Sequence, residues 1–140
     1  EIGYNGTFLT PEFGARQSLG MCFTEAEIEP NTPFQAGQLC DRANCLACVE
    51  GCPAAALSAD GATRKVGDQT TTVGTYSEEK CTFCVNGAFP DTSCATAPPN
   101  KLAAACTRAC IACLEDGGKI KTGYKSKFRR REAWGFDTFE

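Results

Sequence analysis

Eleven cysteines in a chain of 140 residues, with no histidine at all, define the chemistry open to this sequence. Nine of them form three closely spaced groups. These are Cys40-x4-Cys45-x2-Cys48-x3-Cys52-Pro53, then Cys81-x2-Cys84, and finally Cys106-x3-Cys110-x2-Cys113. Thiolates are nucleophiles and soft metal ligands, whereas the absence of histidine excludes a serine triad, histidine acid–base catalysis and Cys2His2 zinc sites.

The first group is close to the bacterial ferredoxin run C-x2-C-x2-C-x3-C-P, in which three thiolates bind one 4Fe–4S cluster and the fourth binds a second cluster. Pro53 ends the loop and directs the Cys52 thiolate away from the first cluster. We expect a short helix at residues 54–57 after this proline. The first gap has four residues instead of two, so Cys40 is a less regular ligand than Cys45, Cys48 and Cys52.

The third group lies in an alanine-rich stretch, residues 101–115, for which the sequence predicts a helix. Pro98 and Pro99 precede it, Asn100 provides a cap, and Gly117 and Gly118 end it. At about 100° per residue, the three cysteines lie within roughly 60° of one another on one face of this helix. The second group, by contrast, falls on what we expect to be a loop.

Two 4Fe–4S clusters need eight thiolates, and we expect this chain to bind two such clusters. We assign Cys40, Cys45, Cys48 and Cys113 to one cluster, and Cys52, Cys81, Cys106 and Cys110 to the other. The spacing equally allows Cys110 and Cys113 to exchange places. It also allows Cys84 in place of Cys81. Cys22 and Cys94 match no ligand spacing, and we expect both to be buried free thiols.

The cysteines could also bind zinc or form disulfides. C-x2-C pairs are typical of zinc ribbons, so a zinc–thiolate structural interaction module is the main alternative. The dense C-x2-C-x3-C-P run favours a cluster, because it places more thiols in one loop than a single tetrahedral ion uses. The odd number of cysteines argues against a closed disulfide framework.

Large aliphatic residues are too few to stabilise this chain by a hydrophobic core alone. Leu, Ile, Val and Phe make up only 24 of 140 residues, so metal or covalent cross-links are needed. The sequence predicts a β-hairpin with a Gly67-Asp68 turn at residues 62–76. It also predicts short strands at residues 7–9 and 18–24. The expected fold class is therefore α+β: a small ferredoxin-like domain with short strands and one Ala/Cys-rich helix, stapled by iron–sulfur clusters.

The chain divides into three predicted parts. Residues 1–35 form a strand-containing entry segment, residues 36–118 a two-cluster ferredoxin-like domain, and residues 119–140 a basic, aromatic tail. Residues 119–131 hold seven of the 14 Lys and Arg residues and no acid. Because the tail also carries five aromatic residues, we expect it to dock on a partner subunit. The net charge of −3 argues against nucleic acid as the partner.

Longer stretches resemble the iron–sulfur region of epoxyqueuosine reductase-like and reductive-dehalogenase-like proteins. They are residues 3–16, 19–24, 28–30, 39–42 and 48–54, Cys106-Thr-Arg-Ala-Cys110 with Leu114-Glu115, and Phe128-Arg-Arg-Arg-Glu-Ala-Trp134. The resemblance implies a module similar to a two-cluster bacterial ferredoxin. In that family the module feeds single electrons to an active site, a corrinoid in the best-known members, on a longer N-terminal domain.

We therefore expect an electron-transfer protein or subunit that relays single electrons through two 4Fe–4S clusters to or from a larger oxidoreductase, and that is not catalytic alone. The alternative is the cluster-bearing portion of a corrinoid- or flavin-type reductase whose substrate domain is missing from this chain. No apolar run approaches the ~20 residues of a membrane span. Eleven thiols without a secretory segment favour the cytoplasm of an anaerobic cell.

Overall fold

The computed structural model describes residues 1–32, 34–35, 37–84 and 104–123. In chain order its elements are α1 (Ala47–Glu50), β1 (Leu57–Val66), β2 (Gln69–Tyr76), α2 (Glu78–Thr82) and α3 (Ala105–Asp116). The antiparallel strand pair and the short helices make this a small α+β fold, as the sequence predicts. No helix in the described ranges is long and apolar enough to cross a membrane.

The β1–β2 hairpin forms as predicted and extends beyond residues 62–76. Val66 pairs with Gln69 across the turn, and Gly67 has a φ of +58°, which suits the first central position of a type II′ turn. Gly74 lets the sheet approach Tyr4 closely, since a Cβ there would lie 2.5 Å from Cε1 of the tyrosine ring. The hairpin therefore packs directly on the N-terminal segment.

The α3 helix carries the third cysteine group and ends where the sequence predicts. The amide of Gly117 donates to the carbonyl of Cys113 at 3.0 Å. Gly118 follows with a φ of +63°, a left-handed conformation that glycine adopts at helix ends. The helix begins after Ala104 without a side-chain cap, and the predicted cap, Asn100, lies outside the described residues.

Two small buried groups hold the N-terminal segment against the cysteine-bearing elements. The first is aliphatic and joins Leu9, Ala15 and Leu39 to Ile111 and Leu114 of α3. The second consists of Tyr4, Cys48 and Leu57, with Cys40, Cys52, Cys106 and Cys110 packed against it. Cysteines thus supply much of the buried surface, which agrees with the shortage of large aliphatic residues.

Three local predictions are wrong. Residues 18–24 form no strand, because none of the described residues lies beside them as a second strand. Residues 54–57 form no helix, since Ala55 has a φ of +45° and redirects the chain into β1. Cys81 lies in α2 rather than in a loop. In addition, the strand predicted at residues 7–9 is reduced to a single bridge between Ile2 and Phe8.

Candidate metal centre

Close packing of α1 on α3 brings the first and third cysteine groups together. Small residues permit it, since a Cβ built on Gly51 would lie 2.6 Å from Cβ of Ala109 in α3. Any side chain at position 51 would therefore push the two helices apart. Cys48 lies within α1 and Cys52 directly after it, so both thiols lie near the face of α3 that carries Cys106, Cys110 and Cys113.

Four thiols form a mutually interacting group, which we call the thiol quartet: Cys40, Cys45, Cys48 and Cys110. Every pair among them interacts electrostatically. Burial, reinforced by these neighbours, raises the pKa of Cys48 and of Cys110 to about 12, and burial also raises the pKa of Cys40. Thiols with such pKa values hold their protons at neutral pH, so a metal that binds here must displace them.

Cys113 lies at the edge of the quartet. Its Sγ is 3.2 Å from Sγ of Cys45, and this hydrogen-bonding contact raises the pKa of Cys113 to about 11. The Cys113 side chain is exposed, however, whereas Cys110 is half-buried. At the other end of the α3 stripe, Cys106 interacts with Cys48. The predicted cysteine face of α3 therefore does run along the first group.

The additional residues between Cys40 and Cys45 form a closed turn. The carbonyl of Asp41 accepts hydrogen bonds from the amides of Asn44 and Cys45, at 3.3 and 2.8 Å. The Asp41 carboxylate also accepts the side-chain amide of Asn44. Because the turn returns the chain on itself, the longer gap leaves Cys40 and Cys45 close enough to interact electrostatically.

A buried carboxylate fixes the backbone that leads into this turn. Both oxygens of Glu1 accept backbone amides, from Gly37 and Leu39 at 2.9 Å and from Cys40 at 3.2 Å. The Glu1 side chain is fully buried and pairs with Arg42, whose Nη1 lies 3.3 Å from Oε1. No local spacing in the sequence indicates this contact, because its partners are more than 35 residues apart.

Arg42 completes the attachment of the Cys40 loop. Its Nε donates to the carbonyl of Thr72 in β2 at 2.6 Å, and its Nη2 donates to the carbonyl of Ile2. A planar guanidinium can bridge the carboxylate and both carbonyls at once. Arg42 therefore ties the loop that presents Cys40 to the hairpin and to the N-terminal segment.

We expect Arg42→Lys to lower the free energy of unfolding by about 2 kcal/mol, because the ammonium keeps the charge but cannot make all of these hydrogen bonds. The measurement is the midpoint of guanidinium-induced unfolding under anaerobic conditions, followed by circular dichroism. The same exchange at exposed Arg64 of β1, Arg64→Lys, is the matched control. Equal midpoints for both variants would show that the bridge contributes nothing.

Backbone amides point at two of the sulfurs. Tyr4 N–H donates to Sγ of Cys40 and Ala56 N–H donates to Sγ of Cys52, each at 3.3 Å. The Tyr4 ring is buried and its hydroxyl donates to the carbonyl of Ala59; burial, followed by Asp60 and then Cys48, raises the pKa of the phenol. Such N–H···S bonds stabilise thiolates and help to set cluster potentials.

The helix that carries the second cysteine group starts beside the segment that follows Cys52. The amide of Ser77 donates to the carbonyl of Ala56 at 2.9 Å, and the Ser77 side chain caps α2. Cys81 is buried in α2, and Cys84 is half-buried just beyond it. The segment after Cys52 is thus hydrogen-bonded to the start of the helix that carries Cys81.

The sequence predicts that Cys22 and Cys94 are buried free thiols. Cys22 is exposed, so that prediction is wrong; no strand among the described residues lies beside residues 18–24 to cover them. Cys94 lies outside the described residues.

The thiols of the first and third cysteine groups come from a loop and two helices. Among the described residues, no group of three or more His, Cys, Asp or Glu side chains is arranged to hold a metal ion. A 4Fe–4S cluster makes a different demand, since its four thiolates bind separate iron atoms around a core. Thiols spread over a loop and two helices, with amides directed at two of them, fit an iron–sulfur group.

The chain is similar to parts of two kinds of reductase. Over 81 residues it is 37% identical to an epoxyqueuosine reductase of Lactococcus garvieae (strain Lg2), covering 56% of this chain and 22% of that protein. Over 60 residues it is 35% identical to tetrachloroethene reductive dehalogenases of Desulfitobacterium hafniense and Dehalobacter restrictus (strain DSM 9455 / PER-K23), covering 41% of this chain and 10% of each. The matches thus span about a fifth of the reductase and a tenth of the dehalogenases. No family model matches the chain, and no solved structure is significantly similar to it.

Proposed function

We propose that this chain is an iron–sulfur electron-transfer module that serves a larger reductase. The observation that carries the proposal is the thiol quartet, in which cysteines distant in sequence meet beside amide donors and a buried tyrosine. The similarity to reductases supports a redox role for this chain. We further propose that the module holds two 4Fe–4S clusters, since nine closely spaced cysteines provide the eight thiolates that two clusters need.

The quartet favours one ligand assignment among those that the spacing allows. We assign Cys40, Cys45, Cys48 and Cys110 to the first cluster, and Cys52, Cys81, Cys84 and Cys106 to the second. This places Cys110, rather than Cys113, with the first group. Cys110 interacts with all three other quartet members and is half-buried, whereas Cys113 is exposed and contacts Cys45 at the edge.

The residues of this chain hold, orient and shield the sulfurs. Bound clusters would supply single-electron transfer, which needs no protein acid or base. Tyr4 and Leu57 exclude water beside Cys48, and the amides of Tyr4 and Ala56 stabilise negative charge on sulfur. Lys119 adds a cation near Cys113 and anchors its Nζ on the carbonyl of Leu39 at 3.0 Å.

The electrons would enter or leave through a larger oxidoreductase, either a separate subunit or the remainder of the same reductase. The small share of each relative that the chain matches favours the second arrangement, with the substrate site elsewhere. We propose that residues 119–140 contribute to docking on that larger part. Lys121 and Thr122 donate backbone hydrogen bonds to residues 11–12, and residues 124–140 of the tail lie outside the described residues.

An anaerobic titration with dithionite tests the proposed function. We expect reversible uptake of about two electrons per chain, one for each cluster, with bleaching of the visible absorption. Cys48→Ala should take up about one electron, since it removes a ligand of only one cluster. A chain that binds iron but takes up no electrons would contradict the proposal.

A further inference from the structure

Cys113 is the thiol of the three cysteine groups that the two proposed clusters leave unused. The groups contain nine cysteines, whereas two 4Fe–4S clusters take eight thiolates. Cys113 lies in the last turn of α3 with its side chain exposed. It is therefore a thiol beside the proposed first cluster that has no part in holding the iron.

This thiol is in direct contact with a proposed ligand of the first cluster. Sγ of Cys113 lies 3.2 Å from Sγ of Cys45, about 1.2 Å more than the length of an S–S bond, about 2.05 Å. Because the Cys113 side chain is exposed, a rotation about its χ1 can supply a movement of that size. The pair is thus placed to form a disulfide whenever Cys45 is free of iron.

The backbone on each side of this contact is held in place. The amide of Cys45 donates to the carbonyl of Asp41 at 2.8 Å. Just beyond α3, Nζ of Lys119 donates to the carbonyl of Leu39 at 3.0 Å, which ties the end of the helix to the loop of the first cysteine group. The contact between Cys45 and Cys113 therefore depends on the folded arrangement of two segments that are distant in sequence.

The pair also lies on the accessible side of the thiol quartet. Cys113 is exposed and Cys45 is half-buried, whereas Cys48 is buried. An oxidant that arrives from solvent therefore reaches Cys45 and Cys113 before it reaches Cys48. Oxidation of a thiol follows its accessibility, so this is the side of the quartet where oxidation should begin.

We propose, taking Cys45 as a cluster ligand as in the proposed function, that Cys113 is a resolving thiol, which forms a reversible disulfide with Cys45 when a peroxide removes the iron. The two thiols together lose two protons and two electrons as the S–S bond forms. Hydrogen peroxide accepts them, its O–O bond breaks, and it is reduced to two molecules of water. A dithiol returns two protons and two electrons and is itself oxidised to a disulfide.

The benefit of the disulfide lies in what it prevents. A sulfenic acid that meets no neighbouring thiol is oxidised further to the sulfinic acid, which thiols do not reduce. A sulfenic acid that condenses with a thiol stops at the disulfide. Cys113 thus keeps Cys45 in a form that can bind iron again after reduction.

Peroxide treatment of the iron-loaded full chain tests the proposal. Hydrogen peroxide is added until the visible absorption is lost, the remaining thiols are alkylated, and disulfides are located by peptide mass spectrometry without reduction. We expect the peptide that joins Cys45 to Cys113 to be at least tenfold more abundant than any other cross-linked pair. Dithiothreitol, followed by iron and sulfide, should then restore most of the original iron content.

The variant Cys113→Ser separates a resolving thiol from a bystander. It should bind as much iron as the unchanged chain, but after peroxide it should carry about tenfold more sulfinic acid at Cys45. Cys22→Ser is the matched control, because it removes an exposed thiol outside the three groups, and it should behave like the unchanged chain.

Two results would overturn the resolving role and leave the proposed function intact. One is a cross-link between Cys45 and Cys113 no more abundant than other pairs, and the other is equal sulfinic acid at Cys45 with and without Cys113. Loss of iron in untreated Cys113→Ser would also overturn it, because Cys113 would then be a ligand. Absence of iron from the untreated, unchanged chain would contradict the proposed function itself.

Discussion

Cys110→Ala should remove about half of the bound iron, whereas Cys113→Ala should leave the iron content unchanged. The two residues occupy the same face of α3 and differ by less than one turn. Cys110, however, belongs to the half-buried quartet with Cys40, Cys45 and Cys48, while Cys113 is exposed. Loss of one of four thiolates abolishes a cluster that the remaining three cannot hold against water, and metal binding is coupled to folding of the site.

Iron and acid-labile sulfide, measured on anaerobically purified chains, give the result. Cys22→Ser is a second control, because its thiol is exposed and distant in sequence from every cysteine group. Iron loss in Cys113→Ala with full iron in Cys110→Ala would reverse the assignment. Iron loss in Cys22→Ser would show that a cysteine outside the three groups is a cluster ligand.

Gly51→Val should destabilise the cluster-loaded chain by about 3 kcal/mol, near the upper end for over-packing. A Cβ at this position would lie 2.6 Å from Cβ of Ala109 and 2.9 Å from the carbonyl oxygen of Ala47. Since neither neighbour can move without displacing a helix, α1 and α3 must separate. The cysteines that they carry would then no longer meet, so we also expect slower cluster assembly.

The same exchange at Gly20 is the matched control, because nothing lies within 4 Å of a Cβ built there. Ala109→Gly in the Gly51→Val background should recover part of the loss by removing the nearer obstacle. Thermal loss of the visible absorption and the rate of anaerobic reconstitution are the two measurements. If Gly51→Val and Gly20→Val behaved alike, close packing of the helices would not be what assembles the centre.

The sequence correctly predicted the elements that depend only on residues close together in the chain. The hairpin follows from β-branched strands around Gly67, and the end of α3 follows from Gly117 and Gly118. The residues that form these turns and caps are neighbours in sequence, so one short window contains the whole cause. The cysteine face of α3 was predictable for the same reason, since helical periodicity alone places its three thiols together.

Features that depend on distant partners were not predictable in this way. The alternation of residues 18–24 gives a strand only where another strand lies alongside, and none of the described residues provides one. Ala55 adopts a positive φ because the chain must turn from Cys52 into β1, which overrides the helical preference of three successive alanines. The bridge from Glu1 through Arg42 to Thr72 joins three separate segments.

In the candidate site, too, the local features were predictable from the sequence and the contacts between distant segments were not. Spacing alone identified the three cysteine groups, and helix geometry put Cys110 and Cys113 on one face. It could not distinguish between them, because both point towards the first group. The contact between Gly51 and Ala109 limits how closely α1 approaches α3, and no local spacing in the sequence indicates that contact.

Direct metal analysis tests whether these cysteines hold two iron–sulfur clusters. Iron, acid-labile sulfide and zinc should be determined together on the anaerobically purified chain. We expect about eight iron and eight sulfide per chain, in a brown protein without stoichiometric zinc. Zinc bound to a colourless chain that contains no iron would contradict the binding of iron–sulfur clusters. It would favour a structural zinc–thiolate module instead.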